Sequence, residues 1–249
     1  MKTSNILLTG FAGSVLLAGL ALLLFVRANL VPRHTIQPSG DVITTTRDVA
    51  PFTDLNIKGR YHVELSKTAQ GLTIEGDKSF VDKMIIEENN GQLSIKTNRE
   101  HDYDEKHIVK LTLGYDQLQR INNSTTGYVY SKEVLTGDRL DLRVNGAAST
   151  ELELDVAELN IDVNGAGQAI LKGKANQLEA EIGGASHLRA GELIATHADV
   201  QTNGASHARV NATSSISLEA DGASDLRYSG AAEVRSISNS GSSRIRKVD

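Results

Sequence analysis

The chain has 249 residues, a formal net charge of -5 and no cysteine. The missing cysteines exclude disulfides, thiolate zinc sites, a catalytic thiol and the lipid-modified cysteine of a bacterial lipoprotein. The mild charge offers no basic field for nucleic acid, so we expect no nucleic-acid partner. Only 4% of residues are aromatic, and all three prolines lie at or before Pro51. This composition predicts a thin aliphatic core with nearly continuous backbone pairing.

The N-terminal segment, residues 6–26, is uncharged and almost wholly apolar. At about 1.5 Å per residue, a helix of this length crosses the roughly 30 Å hydrocarbon core of a membrane. We predict an uncleaved transmembrane anchor behind a short tail, residues 1–5. A cleaved signal peptide is the alternative, although its apolar region is normally shorter. The short tail favours export of the large domain and a single-pass protein of the bacterial cell membrane.

Residues 27–47 contain two prolines, several threonines and few apolar side chains, which predicts a linker. Alternating apolar residues begin after it and predict strands to the end of the chain. Only the segment Asp77 to Met84 has apolar residues at helical spacing. The folded domain is therefore expected to span residues 48–249.

A short phrase built around glycine returns every 18–20 residues in the second half of the chain. Its copies are Asn145-Gly146, Asn164-Gly165, Gly183-Gly184, Asn203-Gly204, Asp221-Gly222 and a degenerate Asn239-Ser240-Gly241. An alternating run precedes each copy and a short strand follows it, so each repeat predicts a strand, a corner and a strand. We expect the first residue to tolerate a left-handed corner and the glycine to stand where no side chain fits. The pattern predicts an all-β, single-chain β-helix (a solenoid) of stacked coils.

Equivalent positions in stacked coils lie about 4.8 Å apart, so each repeat position becomes a column of side chains. What we call the His column contains Gln168, His187, His207, Asp225 and Arg244. The Arg column, two residues further along each strand, contains Arg189, Arg209, Arg227 and Arg246. Because positions two apart on a strand point to the same side, we expect both columns on one exposed surface, the His–Arg face.

The His column contains residue types that zinc accepts, His187, His207 and Asp225. Side chains on a flat ladder point in parallel rather than towards one ion, so we expect a polar ladder, no metal and no cofactor. A second cluster of metal-ligand types, residues 101–107, is predicted to be a solvated loop between strands.

The Arg column has two interpretations. It is either a contact surface for an anionic envelope polymer or a stripe whose charge is balanced by acidic residues such as Glu179, Glu181 and Glu219. Like charges in register need such partners. No nucleophile elbow, phosphate-binding glycine loop or zinc-protease motif is present in the sequence, so we expect no enzyme.

Four segments carry a resemblance to a known family. They are Phe52-Thr-Asp-Leu-Asn-Ile-Lys-Gly59, Val63-Glu-Leu65, Ile74-Glu-Gly-Asp77 and Gly91-Gln-Leu-Ser-Ile95. In this order they resemble the start of the bacterial family called putative auto-transporter adhesin, head GIN domain, and the Gly-Ala-Ser repeats resemble its second half. The resemblance implies a right-handed β-helix exposed on the cell envelope, with no catalytic motif to carry over. Many relatives look like lipoproteins, whereas this chain has an apolar N-terminal run and no cysteine.

Three hypotheses about function remain. The first is a membrane-anchored, periplasmic or surface binding module whose partner is an unknown envelope polymer or protein. The second is an accessory subunit of an envelope-stress or transport system that acts through its membrane helix. The third is a β-helical polysaccharide-active enzyme. A binding module should function without the anchor, whereas the accessory subunit should not.

Overall fold

The computed structural model describes residues 34–98, 101–103 and 108–248. Nearly all regular structure in this part of the chain is β-strand, as the alternating pattern predicts. The strands are β1 (His34–Ile36), β2 (Val42–Arg47), β3 (Asp54–Gly59), β4 (Tyr61–Ser66), β5 (Leu72–Asp77), β6 (Met84–Asn89), β7 (Gln92–Thr97), β8 (His101–Tyr103), β9 (Val109–Gly114), β10 (Arg120–Thr125), β11 (Tyr128–Ser131), β12 (Leu135–Gly146), β13 (Ser149–Gly165), β14 (Gln168–Ile182), β15 (His187–Thr202), β16 (His207–Ala220), β17 (Asp225–Ser229), β18 (Glu233–Asn239) and β19 (Arg244–Lys247). A short helix, α1 (Lys78–Val81), lies within the segment with helical spacing.

All of these strands except β1 and β8 belong to one 17-stranded sheet. From β12 onwards, neighbouring strands pair in parallel, with partners one repeat apart, such as Leu140 with Leu159 and Leu159 with Leu178. The long strands change direction within the coil. Around Gly191, the pairing register of β15 shifts against both neighbouring strands, β14 and β16. The chain therefore forms a β-solenoid of stacked coils, which confirms the predicted architecture. Its handedness stays a prediction.

The core is a set of aliphatic columns that run along the solenoid. One such column contains Leu142, Ile161, Ala180, Val200, Leu218 and Ile237. All of these side chains are at most 4% exposed except Ile237, which is 52% exposed on the last coil. Burying one leucine or isoleucine stabilises the fold by about 1.5–3 kcal/mol, but only when a neighbouring coil covers it.

The N-terminal coils do not stack in chain order. Strand β3 pairs in parallel with both β7 and β10, and β4 pairs in parallel with both β9 and β11. The coil of β3 and β4 therefore lies between two segments that follow it in sequence. Beyond it the pairing becomes antiparallel, with β5 between β2 and β9 and with β6 beside β7. The alternation of apolar and polar residues could not predict this insertion. All of these strands have the same alternation, so it does not show which of them pair.

The predicted linker, residues 27–47, contains the paired strand β2, so regular structure begins before residue 48. Its threonines suggested a linker by composition, yet threonine is β-branched and suits an edge strand. The segment is also held by Asp77, whose carboxylate accepts hydrogen bonds from the backbone N–H groups of Ser39 at 3.0 Å and Gly40 at 2.8 Å. Hydrogen bonds from the Ser79 hydroxyl and then from Ser39 hold the pKa of Asp77 well below its usual range.

Strands β1 and β8 pair with each other in a separate two-stranded sheet. The solenoid belongs to a different compact unit, Gln37–Asn98 with Tyr103–Asp249. Within residues 34–98, 101–103 and 108–248, no helix has the length and apolar character needed to cross a membrane. The predicted tail and anchor, residues 1–5 and 6–26, lie outside the described residues.

Each corner is built on a glycine with left-handed backbone. The φ angles are +70° at Gly146, +88° at Gly165, +73° at Gly184, +74° at Gly204 and +76° at Gly222. The preceding residues, Asn145, Asn164, Gly183, Asn203 and Asp221, do not have positive φ, so the expectation of a left-handed residue at that position was wrong. The side chains of Asn145 and Asp221 form hydrogen bonds to the neighbouring coil instead. For example, the Asn145 amide donates to Asn122 at 3.1 Å.

The last corner position needs correction. Ser240, not Asn239, stands over Asp221, because its N–H donates to Ala220 in the coil below and its hydroxyl to the Asp221 carboxylate at 2.5 Å. Asn123, although an asparagine in the coil before the first corner phrase, lies within β10 in register with Val144. It is fully buried and its amide donates to Thr150 at 2.9 Å.

The serine that follows the corner in the Gly-Ala-Ser phrase has a structural role that the sequence analysis missed. Ser186, Ser206, Ser224 and Ser243 are buried. The hydroxyl of Ser206 donates to the carbonyl of Ile182 in the neighbouring coil at 3.2 Å. A buried carbonyl at a bend in the chain is thereby satisfied.

We predict that Gly204→Ala destabilises the fold more than Gly146→Ala. Both glycines are left-handed, so each substitution incurs the backbone penalty of about 1–2 kcal/mol. A Cβ at residue 204 would also lie 2.6 Å from the Gly184 carbonyl oxygen, whereas one at residue 146 would meet no atom within 4 Å. This crowding should add about 1 kcal/mol or more to the loss. Chemical denaturation would measure both free energies of unfolding, and equal losses would contradict a crowded corner.

Candidate binding face

The His and Arg columns form as predicted. Gln168, His187, His207, Asp225 and Arg244 are partners in adjacent strands. Arg189, Arg209, Arg227 and Arg246 are partners in the same strands. The residues between the columns, Leu188, Ala208 and Leu226, are at most 3% exposed. Both columns therefore point away from the core and share the His–Arg face.

The columns continue over the earlier coils, which the repeat pattern did not reveal. The His column extends through Ser149, Tyr128, His62 and Lys110. The Arg column extends through Ile170, Glu151, Tyr130, Glu64 and Thr112. Glu151 and Ile170 follow the corner phrases Asn145-Gly146 and Asn164-Gly165, whereas the coils before them lack the phrase and join the face only through the pairing register.

A shallow groove of about 830 Å³ runs over the middle of this face. Its lining includes His187, Arg189, His207, Arg209, Asp225 and Arg227, all from the residues singled out in the sequence. Glu151 and Ile170 lie at the end nearer the N-terminal coils. The structure thus brings most of the predicted binding residues into one concave surface.

Two of the four arginines share one carboxylate. Arg227 Nη2 lies 3.0 Å and Arg246 Nη2 lies 2.7 Å from Asp225 Oδ2. The hydrogen bonds from Arg227 and then from Arg246 hold the pKa of Asp225 below its usual range. Asp225 is thus an intramolecular anion for the C-terminal half of the Arg column.

The other two arginines, Arg189 and Arg209, are exposed. In the part of the chain that the structure describes, neither guanidinium has an ion pair or a side-chain hydrogen bond. The predicted balancing acids, Glu179, Glu181 and Glu219, do not pair with them, because all three lie on the strand before the corner rather than after it. Charge balance by these glutamates is therefore wrong, and Asp225 balances only the C-terminal arginines.

His187 and His207 stack as a ladder, with ring centroids 5.0 Å apart and an interplanar angle of 3°. Parallel rings present their nitrogens side by side instead of around a common point. Among the residues that the structure describes, no group of three or more histidine, aspartate or glutamate side chains is arranged to hold a metal ion. Of the cluster at 101–107, residues 104–107 and the side chains of 101–103 are outside the description.

The N-terminal half of the face is acidic and aromatic. The rings of Tyr128 and Tyr130 stack with centroids 5.5 Å apart. The Tyr130 hydroxyl donates to Glu64 at 2.5 Å, and Lys132 lies 2.7 Å from the same carboxylate. The hydrogen bond to Glu64, with burial, raises the pKa of Tyr130 to about 12. The Tyr128 hydroxyl donates to Glu151.

Residues 51–232 match the sequence profile of the family described as putative auto-transporter adhesin, head GIN domain. The chain belongs to this family. The head GIN domain thus covers most of the solenoid, as the sequence resemblance indicated. No curated protein is similar enough to count as a match.

Solved structures share the fold of this head GIN domain. A putative adhesin from Bacteroides fragilis is 23% identical, with a TM-score of 0.80 over 86% of this chain and 100% of its own. A putative adhesin from Parabacteroides distasonis is 20% identical, with a TM-score of 0.64 over 86% of this chain and 100% of its own. A putative lipid binding protein from the same species is 17% identical, with a TM-score of 0.67 over 85% and 98%. At these identities the likeness shows the fold alone.

We predict that Asp225→Asn strengthens binding to an anionic matrix. The substitution removes the carboxylate that Arg227 and Arg246 share, so both guanidiniums become available to an external anion. The protein should elute from heparin-agarose at higher salt than the wild type. Asp199→Asn is the matched control, because it makes the same charge change on the strand before the corner. Equal shifts of the eluting salt concentration for the two variants would show that the effect comes from net charge alone.

Proposed function

We propose that this head GIN domain is an extracytoplasmic binding module that holds an anionic polymer of the cell envelope on its His–Arg face. The observation that carries this proposal is the pair Arg189 and Arg209, exposed in the groove without an ion pair among the described residues. The adhesin-like family supports binding rather than catalysis.

The ladder suits a repeating anion. Arg189 and Arg209 lie on adjacent coils, so their backbones are about 4.8 Å apart. Strand pairing fixes this distance, whereas two residues on a loop could move apart. Each guanidinium can bind a carboxylate or phosphate through two parallel hydrogen bonds. Rigid spacing lowers the entropy lost on binding, so modest contacts suffice for measurable affinity. The interaction should weaken as salt rises, because exposed charges are screened.

We further propose that residues 6–26 anchor the protein in the bacterial cell membrane as a single-pass helix, with the solenoid outside the cytoplasm. The support is the length of the uncharged run and the short tail that precedes it. Tethering would hold the His–Arg face within reach of envelope polymers at high local concentration.

The binding test uses two double variants. Arg189→Gln with Arg209→Gln should lower binding to the organism's own cell-envelope fraction at least about tenfold, since two charge-assisted contacts are lost. Arg227→Gln with Arg246→Gln should have a smaller effect, because these arginines already pair with Asp225. Binding is measured at low and high salt. Retention of full affinity by the first variant would contradict the proposal.

The topology test uses protease added to intact spheroplasts. We expect the solenoid to be digested from outside while the N-terminal segment stays in the membrane fraction. Protection of the solenoid until lysis would contradict the orientation, and a mature N-terminus after residue 26 would contradict the anchor. Replacing residues 1–26 with a cleavable secretion signal separates the remaining alternative. Loss of function in that variant, with envelope binding intact, would favour the accessory-subunit hypothesis.

A further inference from the structure

The charges of the Arg column change sign along the solenoid. In spatial order the column contains Thr112, Glu64, Tyr130, Glu151, Ile170, Arg189, Arg209, Arg227 and Arg246. The acidic and tyrosine positions precede Ile170, which is the middle of the column, and the arginines follow it. The acidic half of the Arg column thus complements the charge of its arginine half.

A twofold axis would bring these halves together. If the axis runs parallel to the first part of β14, over the outward side chains of Gln168 and Ile170, it reverses the order of the coils and keeps the direction of the strands. Each residue then faces the residue equally far from the middle of its own column. In the Arg column the facing pairs are Glu151 with Arg189, Tyr130 with Arg209 and Glu64 with Arg227. In the His column they are Ser149 with His187, Tyr128 with His207 and His62 with Asp225.

We propose that two copies of this chain associate through the His–Arg face around this axis. The association rests on the proposed function, since it covers the two arginines that the anionic polymer would bind. Self-association and polymer binding therefore compete, and the polymer releases the two copies from each other.

Glu151 and Arg189, which both lack an ion pair within the described part of one copy, meet across the axis. Glu151 accepts a hydrogen bond from Tyr128 but forms no ion pair among the described residues. Within one copy Ile170 separates it from Arg189, which places the two backbones about 10 Å apart. Across the axis the carboxylate and the guanidinium face each other. Arg209 lies opposite Tyr130 across the axis.

Three side chains of β14 lie at the centre of the contact. Gln168, Ile170 and Lys172 are half-buried in the single chain, and each would meet its own copy at the axis. Ile170 is the apolar one of the three, and polar and charged residues surround it, as is usual at the border of a specific interface. Two-fold symmetry makes each Glu151–Arg189 contact occur twice.

The size of the face predicts a reversible association. In each copy the face spans nine strands about 4.8 Å apart and is four residues wide, so it covers about 500 Å². A total of about 1,000 Å² is at the low end for specific protein contacts. Like charges also meet, since Lys110 faces Arg244, Glu153 faces Glu192 and Lys172 faces its own copy. We therefore expect a salt-sensitive dimer that forms at micromolar concentrations.

The test is a charge exchange between copies, followed by sedimentation of the full chain in detergent at low salt. Arg189→Glu and Glu151→Arg should each weaken the dimer at least about tenfold, because each places like charges at two contacts. An equimolar mixture of the two variants should dimerise again. In the mixed dimer, both contacts between positions 151 and 189 join one glutamate to one arginine. Glu179→Arg, an exposed change outside the face, is the control and should dimerise as the wild type does.

The outcomes separate this inference from the proposed function. Glu151→Arg keeps Arg189 and Arg209 and adds a third guanidinium to the groove, so it should bind the envelope fraction at least as tightly as the wild type while it loses the dimer. A restored dimer in the mixture supports the inference even if no variant binds the envelope fraction. A wild type that stays monomeric at high concentration, or two variants that do not restore each other, would overturn it.

Discussion

One contact recurs at every corner and sets the register of the whole solenoid. The carbonyl of each left-handed glycine accepts a hydrogen bond from the residue after the next coil's glycine. This distance is 2.7 Å for Ala166 to Gly146, Ala185 to Gly165, Ala205 to Gly184 and Ala223 to Gly204. Because only glycine combines this backbone with so close an approach, the corner cannot slip by one residue. A slip would exchange the buried and exposed sides of each strand.

Fixed register turns single residues into columns, and the binding face is a consequence of that geometry. Exposed ion pairs such as Arg246 with Asp225 contribute little to stability, typically 0–1 kcal/mol. Their importance lies in which charges they leave free. Asp225 balances the late arginines, while Arg189 and Arg209 stay available, and the acidic residues Glu64 and Glu151 occupy the opposite end of the same column. The face is therefore polarised along the solenoid axis.

The sequence was sufficient for the repeated part of the fold and for the columns within it, because each corner phrase marks the same position of a coil. It was insufficient where the phrase is absent. The tyrosines and glutamates of the earliest coils, such as Tyr130 and Glu64, join the face only through the pairing register. The acidic partner of the arginines was predicted wrongly, because residues that are close together within a repeat can lie on opposite sides of a corner. Composition likewise concealed β2, since an exposed threonine-rich edge strand resembles a linker.

The placement of β3 and β4 between later segments also has a consequence for how the chain acquires its structure during synthesis. A solenoid stacked in chain order can grow coil by coil as residues emerge. Here the coil of β3 and β4 has both edges unpaired until β7, β9, β10 and β11 exist. Unpaired edges invite aggregation, and contacts distant in sequence form slowly. The N-terminal part can therefore complete its strand pairing only when residues as far as Ser131 have been synthesised. Until then, this stretch is the one that a chaperone or continued translocation has to protect from aggregation.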